Sequence, residues 1–173
     1  KDGVSYSTIW DFVPLNTKGS SEMQELFGNS TVFESPKPVG LIQELTKLGT
    51  DDGDVIMDFF AGSGTTGHAV MAQNLLDNGK RRFILVQLPE SLEAKNSEQK
   101  TASDYCEQLG KPKNIAELTK ERLRRAAAKV KAERPMFAGD TGFRVFKLDK
   151  SNIRAWNPNP ESLTQSLLDH HEH

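Results

Sequence analysis

The stretch that most limits what this chain can fold into is VIMDFFAGSGTTGHAV, residues 55–70. Its first six residues are apolar except Asp58, the composition of a strand buried on both faces of a parallel sheet. Gly62, Gly64 and Gly67 then allow a tight turn with several free N–H groups, and Thr65 or Thr66 is placed to cap a helix running through Leu76. The order is strand, glycine loop, helix.

Three ligand classes use that layout. Gly62-x-Gly64-x-x-Gly67 satisfies the dinucleotide fingerprint literally, a weak signal by itself. A P-loop is excluded because no Lys-Ser or Lys-Thr follows the last glycine. Asp58 at the strand's end, with Phe59, Phe60 and Ala61 before the glycines, suits a ligand with a positive group better than a pyrophosphate, which the carboxylate would repel. S-adenosylmethionine carries such a sulfonium and ammonium.

DFFAGSGTTGHAV resembles the cofactor-binding motif of beta-class amino-methylating DNA methyltransferases, and within them the modification subunits of type III restriction-modification systems. Upstream, FESPKPVGLI from Phe33 resembles the segment that precedes this loop in that class and contacts the methionine end of the cofactor. The similarity extends through RFILVQLPE and GFRVFKLDKSNIRAW. It implies an α/β fold, a Rossmann-like S-adenosylmethionine-dependent methyltransferase sheet present in part, as a C-terminal fragment. It also implies adenine-N6 transfer, DNA as substrate, and a homodimer and a restriction subunit as partners. The cofactor residues it implies are Phe33, Ser35, Lys37, Pro38, Asp58, Phe59, Phe60, Ala61, Gly62, Ser63, Gly64, Thr65 and Thr66. For the ribose the class carries an acid at the end of the second strand, where this chain has Gln87, with Glu90 beyond it; either could serve.

Methyl transfer to an exocyclic base nitrogen needs a flipped base, stacked on an aromatic ring and hydrogen-bonded through its amine, which the resembled class supplies with an Asp-Pro-Pro-Tyr type motif; no such motif occurs here. In the class it lies toward the N-terminus, so no catalytic residue is expected in this chain, which reads as the cofactor-binding part of a longer protein. A Thr-Ile-Trp phrase at residues 8–10 resembles the one that follows the target-recognition region. The expected divisions are 1–32 for the end of that connecting region, 33–150 for the cofactor subdomain and 151–173 for a polar extension. Two other readings stand beside this one: a nicotinamide-dinucleotide oxidoreductase domain, and a non-catalytic dimerisation or docking module.

The remaining elements are read by periodicity. Residues 22–27 suggest a short helix after a joining Gly19-Ser20-Ser21, and Trp10 and Phe12 read as core packing. Ser35 is placed to cap a helix whose apolar positions are Leu41, Ile42, Leu45 and Leu48, ended by Gly49, with Lys37 at its entrance. Asn78-Gly79 closes the helix after the loop, 82–88 is the second strand, 102–109 a short helix and 142–148 a third strand. Residues 115–134 form a long amphipathic helix, and from Lys113 to Arg134 eight basic residues face three acids. That excess suits either a DNA-phosphate stripe, with Lys120, Arg124, Arg125 and Lys129 as contacts, or an ordinary solvated face.

Composition sets the outer limits. With 173 residues, 36% of them apolar and 27% charged, the chain has material for one ordinary core. A net charge of −2 is not the footprint of a stand-alone nucleic-acid binder. No run approaches a membrane span and no apolar leader opens the chain, so a cytoplasmic location is expected. Cys106, the one cysteine, permits no internal disulfide and reads as a bystander. His68, without a paired acid or nucleophile, reads as a packing residue. The closing LDHHEH is either a metal ligand set or a tag, and no metal site is assigned to it.

Overall fold

A computed structural model describes residues 8–148, which divide into two units between Gly142 and Phe143. Every helix and strand among the described residues lies in the first: α1 Asn16–Phe27, α2 Val39–Gly49, β1 Val55–Asp58, α3 Thr65–Asp77, β2 Arg82–Leu85, α4 Ser97–Gln108 and α5 Ile115–Glu133. This is a mixed helix and strand architecture on a two-stranded parallel sheet.

The strands pair in parallel with Val55 opposite Arg82 and Asp58 opposite Leu85, and α3 is the crossover between them. One face of the sheet, with Phe83 and Leu85, lies against α3 at Gly67. Here the expectation of burial on both faces fails. Val55, Met57 and Ile84 alternate onto an open face, each close to half-exposed. The strands are also shorter than expected: Phe59 and Phe60 leave β1 for the turn, and Val86 and Gln87 lie beyond β2.

Gly67 is required by packing. A Cβ there would meet Leu123 Cδ2 at 2.6 Å, Leu85 Cδ1 at 3.1 Å and Phe83 Cε2 at 3.3 Å, so α3 approaches both β2 and α5 only because no side chain intervenes. The helix ends as its sequence dictates, with Asn78 in the left-handed conformation and its N–H donating to the Asn74 carbonyl.

The main core joins Met23 and Phe27 of α1, Val32, Phe33, Ala102 and Cys106 of α4, and Leu118 of α5. Phe27 meets Phe33 and Tyr105 edge to face, at centroid distances of 6.3 and 5.3 Å. Cys106 is fully buried and its thiol is pushed up by that burial, as suits a packing residue.

Four further expectations change. Gly19-Ser20-Ser21 is helical rather than a joining segment, because Gly19 lets α1 cross the Pro36–Lys37 backbone closely. Ser35 is not the cap of α2: it lies in the left-handed region (φ 48°), Pro38 holds the cap position, and the Val39 N–H donates to the Glu22 carboxylate at 3.0 and 3.2 Å. Trp10 and Phe12 stack on each other at 5.8 Å, with Phe12 exposed, and do not enter the core. Residues 142–148 form no strand; Phe146 and Leu148 are exposed. The polar extension and the histidine-rich close fall outside the described residues.

Candidate functional site

The site is the corner where β1 ends. Asp58 sits at the carboxyl end of the strand, and both of its oxygens are held: Oδ1 accepts the Phe60 N–H at 3.0 Å and Oδ2 the Thr66 hydroxyl at 2.6 Å. Hydrogen bonds to a charged acceptor contribute about 1.5–3 kcal/mol each, so the carboxylate is fixed in one orientation. Held in this way, the turn projects Phe60 into solvent, 91% exposed, with Phe59 beside it at 63%. Large apolar rings at such exposure, next to an anchored anion, offer an apolar and anionic surface to a ligand.

The glycine loop is tied down from behind. Gly62 and Gly64 take left-handed φ values of 50° and 79°, and Gly64 is the N-cap of α3. Thr65 and Thr66 are therefore the first residues of the helix and not its cap. The expected free N–H groups are largely used: Ala61 donates to the Val86 carbonyl at 3.1 Å, Gly62 to Gln87 Oε1 at 2.7 Å and Gly64 to the Ala61 carbonyl at 2.6 Å. Gln87 is thus a brace of the loop; its amide nitrogen donates to the Leu88 carbonyl at 3.1 Å. Glu90 is exposed, while its carbonyl receives the Ile115 N–H and so fixes the start of α5.

The upstream segment meets the loop through its backbone. Thr65 Oγ1 donates to the Lys37 carbonyl at 3.1 Å, while the Lys37 side chain is exposed. Pro38 is buried, and Phe33 is in the main core. The loop is thereby joined to Lys37, Asp58 and Gln87.

Two residues of this corner escaped the sequence reading. Thr119 donates to the Gly62 carbonyl at 2.5 Å, and Arg122 NH1 donates to Ser63 Oγ at 2.5 Å and Thr65 Oγ1 at 2.7 Å. Arg122 is one of the eight basic residues from Lys113 to Arg134, yet it is fully buried, with Glu22 Oε2 at 3.7 Å from NH2. The signal was present: Leu118, Arg122, Ala126 and Val130 recur at helical spacing along the apolar stripe of α5. Burial brings the Arg122 guanidinium down to about 10, against the pull of Glu22; burial likewise lifts the Glu22 carboxyl, against the Val39 N–H and Arg122.

His68, on α3, is buried, and its imidazole is driven down to about 3, by burial first and then by Arg122 and Lys129. It is neutral over the physiological range and packs as expected. Each candidate DNA-contact residue is paired with a carboxylate: Lys120 with Glu117, Arg124 and Arg125 with Glu121, and Lys129 with Glu25 and Glu133. Arg125 also donates to the Leu26 carbonyl and lies over Phe27 at 5.1 Å and Tyr105 at 5.5 Å. Among the described residues no set of three ligating side chains gathers to hold a metal, and no helix is long and apolar enough to cross a membrane.

Residues 1–92 match the family model described as DNA methylase. The Mod subunit of the type III restriction-modification enzyme StyLTI of Salmonella typhimurium is 39% identical over 145 residues, 84% of this chain and 21% of that protein. The EcoPI Mod subunit of Escherichia phage P1 is 41% identical over 117 residues, covering 67% of this chain and 17% of its own. The type II methyltransferase M.KpnI of Klebsiella pneumoniae is 36% identical over 85 residues, 49% of this chain and 20% of its own. The chain spans about a fifth of the length of these relatives.

Proposed function

This chain belongs to the N6/N4 DNA methylase family, and from that premise we propose that it is the S-adenosylmethionine-binding part of an adenine-N6 DNA methyltransferase of a restriction-modification system. The observation that carries the reading is Asp58, an anion anchored by Phe60 and Thr66 beside two exposed phenylalanine rings. The residues present fit a cationic ligand with an aromatic base. Bound there, S-adenosylmethionine would supply an electrophilic methyl on a sulfonium.

The chain's own residues bind and orient. Asp58 attracts the ligand's positive charge, Phe59 and Phe60 offer apolar surface for the base, and the backbone from Ala61 to Gly64 forms the close wall. Ser35, Lys37 and Pro38 lead into α2, whose approach to the loop is set by the bond from Thr65 to the Lys37 carbonyl. Gln87 and Glu90 are the candidates for the ribose, Glu90 with its side chain free in solvent and Gln87 with its carbonyl oxygen on Gly62. A dinucleotide fits less well. Its pyrophosphate needs loop N–H groups, and here those of Gly62 and Gly64 point at Gln87 and Ala61.

The sequence holds no Asp-Pro-Pro-Tyr type motif, and on this reading transfer takes place in a longer polypeptide, with DNA as substrate and a homodimer and a restriction subunit as partners, in the cytoplasm. The sheet is one part of a Rossmann-like methyltransferase sheet, and the divisions at residues 32 and 150 follow the same reading. Arg124, more exposed than Lys120, Arg125 and Lys129, is the first choice among these four for a phosphate contact.

Calorimetric titration of the intact protein tests this. Asp58→Ala is expected to abolish S-adenosylmethionine binding while the circular dichroism spectrum is retained, and NAD is expected to give no heat with either protein. Unchanged affinity in the variant would overturn the reading.

A further inference from the structure

Arg122 is the largest fully buried side chain among the described residues, and the reading above gives it no task. Its burial is costly: Nε and NH2 have no hydrogen-bond partner, and the nearest Glu22 oxygen stands at ion-pair distance from NH2. What the side chain does have is two acceptors on a single nitrogen. NH1 carries two hydrogens, and Ser63 Oγ and Thr65 Oγ1 lie at 2.5 and 2.7 Å.

A guanidinium never accepts, so both hydroxyls must turn lone pairs toward it. Thr65 then has one proton, and it goes to the Lys37 carbonyl at 3.1 Å. The Ser63 hydroxyl, 3.1 Å from Thr65 Oγ1, is left as the donor between the two. The direction of the whole chain is thereby set, from Arg122 through Ser63 and Thr65 to the backbone of Lys37. On its other side Arg122 faces Glu22, whose carboxylate takes the Val39 N–H and anchors the start of α2.

We propose that Arg122 is a positioning residue which, through the hydroxyls of Ser63 and Thr65, holds the glycine loop in register with the Lys37–Val39 segment. Glu22 makes α1 a member of the same device. The proposal rests on the cofactor reading for its functional consequence, because these two segments are the walls that reading assigns to one ligand. A charge buried at this cost serves orientation, since an apolar side chain of similar size would fill the same space at less expense.

The test uses the intact protein and reads two quantities, S-adenosylmethionine affinity by calorimetry and ligand-free amide exchange across residues 61–67. Thr65→Ser keeps the hydroxyl and loses a methyl; Thr65→Val does the reverse. Thr65→Ser is expected to stay within two-fold of the parent in both readouts. Thr65→Val is expected to weaken binding about ten-fold or more and to speed loop exchange by a similar factor, as loss of one charge-assisted hydrogen bond implies. The paired change Glu22→Gln with Arg122→Met, which leaves no orphan charge, is expected to do the same with a melting temperature at or above the parent's.

If packing alone mattered, Thr65→Ser would be the damaging change. That order, or a folded double variant that matches the parent in both readouts, overturns the proposal. Should the double variant fail to fold, the two Thr65 substitutions decide. Should the parent bind no S-adenosylmethionine, the cofactor reading falls and the exchange arm still decides the positioning role.

Discussion

Gly19→Ala is a severe change in this protein, although it replaces a helical glycine by the best helix former. The new Cβ would land on the Pro36 carbonyl oxygen, with the Pro36 carbonyl carbon at 2.8 Å and the Lys37 carbonyl carbon at 3.1 Å. These are backbone atoms and cannot swing aside. Restoring ordinary contact requires α1 to move off the Pro36–Lys37 segment by roughly 1 Å. That motion breaks the bonds from the Val39 N–H to Glu22, now 3.0 and 3.2 Å, a charge-assisted cap whose loss costs about 1.5–3 kcal/mol. Overpacking adds about 1–3 kcal/mol. Alanine's helix propensity returns about 1 kcal/mol. The net loss is about 1.5–5 kcal/mol, which at 1.4 kcal/mol per tenfold lowers amide-exchange protection in α1 by about tenfold or more. Hydrogen-exchange mass spectrometry on the intact protein measures this directly. Gly49→Ala is the control: it ends α2, nothing lies within 4 Å of its added Cβ, and it should leave exchange unchanged or slightly slowed. Gly19→Ala exchange within three-fold of the parent would refute the steric argument.

Stability should fall with acid through His68. Its folded-state value near 3 lies below the ordinary 6.5, so from pH 6.5 downward the unfolded chain takes up a proton that the folded one refuses, at a cost of about 2 kcal/mol by pH 5. Urea midpoints at pH 7 and pH 5 should differ in the parent and converge in His68→Gln. Glu22 acts with the opposite sign, its lifted carboxyl favouring the folded state fully below 4.5 and losing that effect as pH rises through the raised value, so a Glu22→Gln background gives the clearer measurement. Gln87→Ala removes the acceptor for the Gly62 N–H and should weaken S-adenosylmethionine binding about ten-fold, whereas Gln87→Glu keeps an acceptor there and should retain it, as calorimetry would show. Arg124→Ala should flatten the salt dependence of DNA binding by about one phosphate contact, and Arg125→Ala should instead lower the melting temperature, because Arg125 is engaged with Phe27, Tyr105 and the Leu26 carbonyl. Equal slopes in the Arg124 variant and the parent would mark that face as merely solvated.

The sequence was readable where local chemistry decides. Glycines at positive φ, an asparagine cap and a 3.6-residue apolar period placed the loop, α3 and α5 within about a residue at each end, while α4, expected over 102–109, begins five residues earlier at Ser97. It was misleading where a tertiary neighbour decides. Ser35 and Pro36 advertise a helix start, but Glu22 on another helix supplies the acceptor for Val39. The Gly-Ser-Ser of α1 looks like a linker until the backbone that crosses it is known. Arg122 illustrates the limit most clearly, because charge counting assigns an arginine to the surface, and only its register with Leu118 and Ala126 hints that it turns inward. The continuous apolar run of β1 announced two covered faces; among the described residues one is covered.

The brace from Arg122 to Ser63 spans 59 positions and that to Thr65 spans 57, while the strands and crossover helix around the loop are neighbours in sequence. A ribosome therefore finishes the loop long before it delivers the residue that locks it. Synthesis runs at about 5–20 residues per second, so a nascent chain exposes an unbraced glycine loop for several seconds. The brace is the last contact this corner acquires, and a chain interrupted before α5 would carry every glycine of the motif without the side chain that ties Ser63 and Thr65 together.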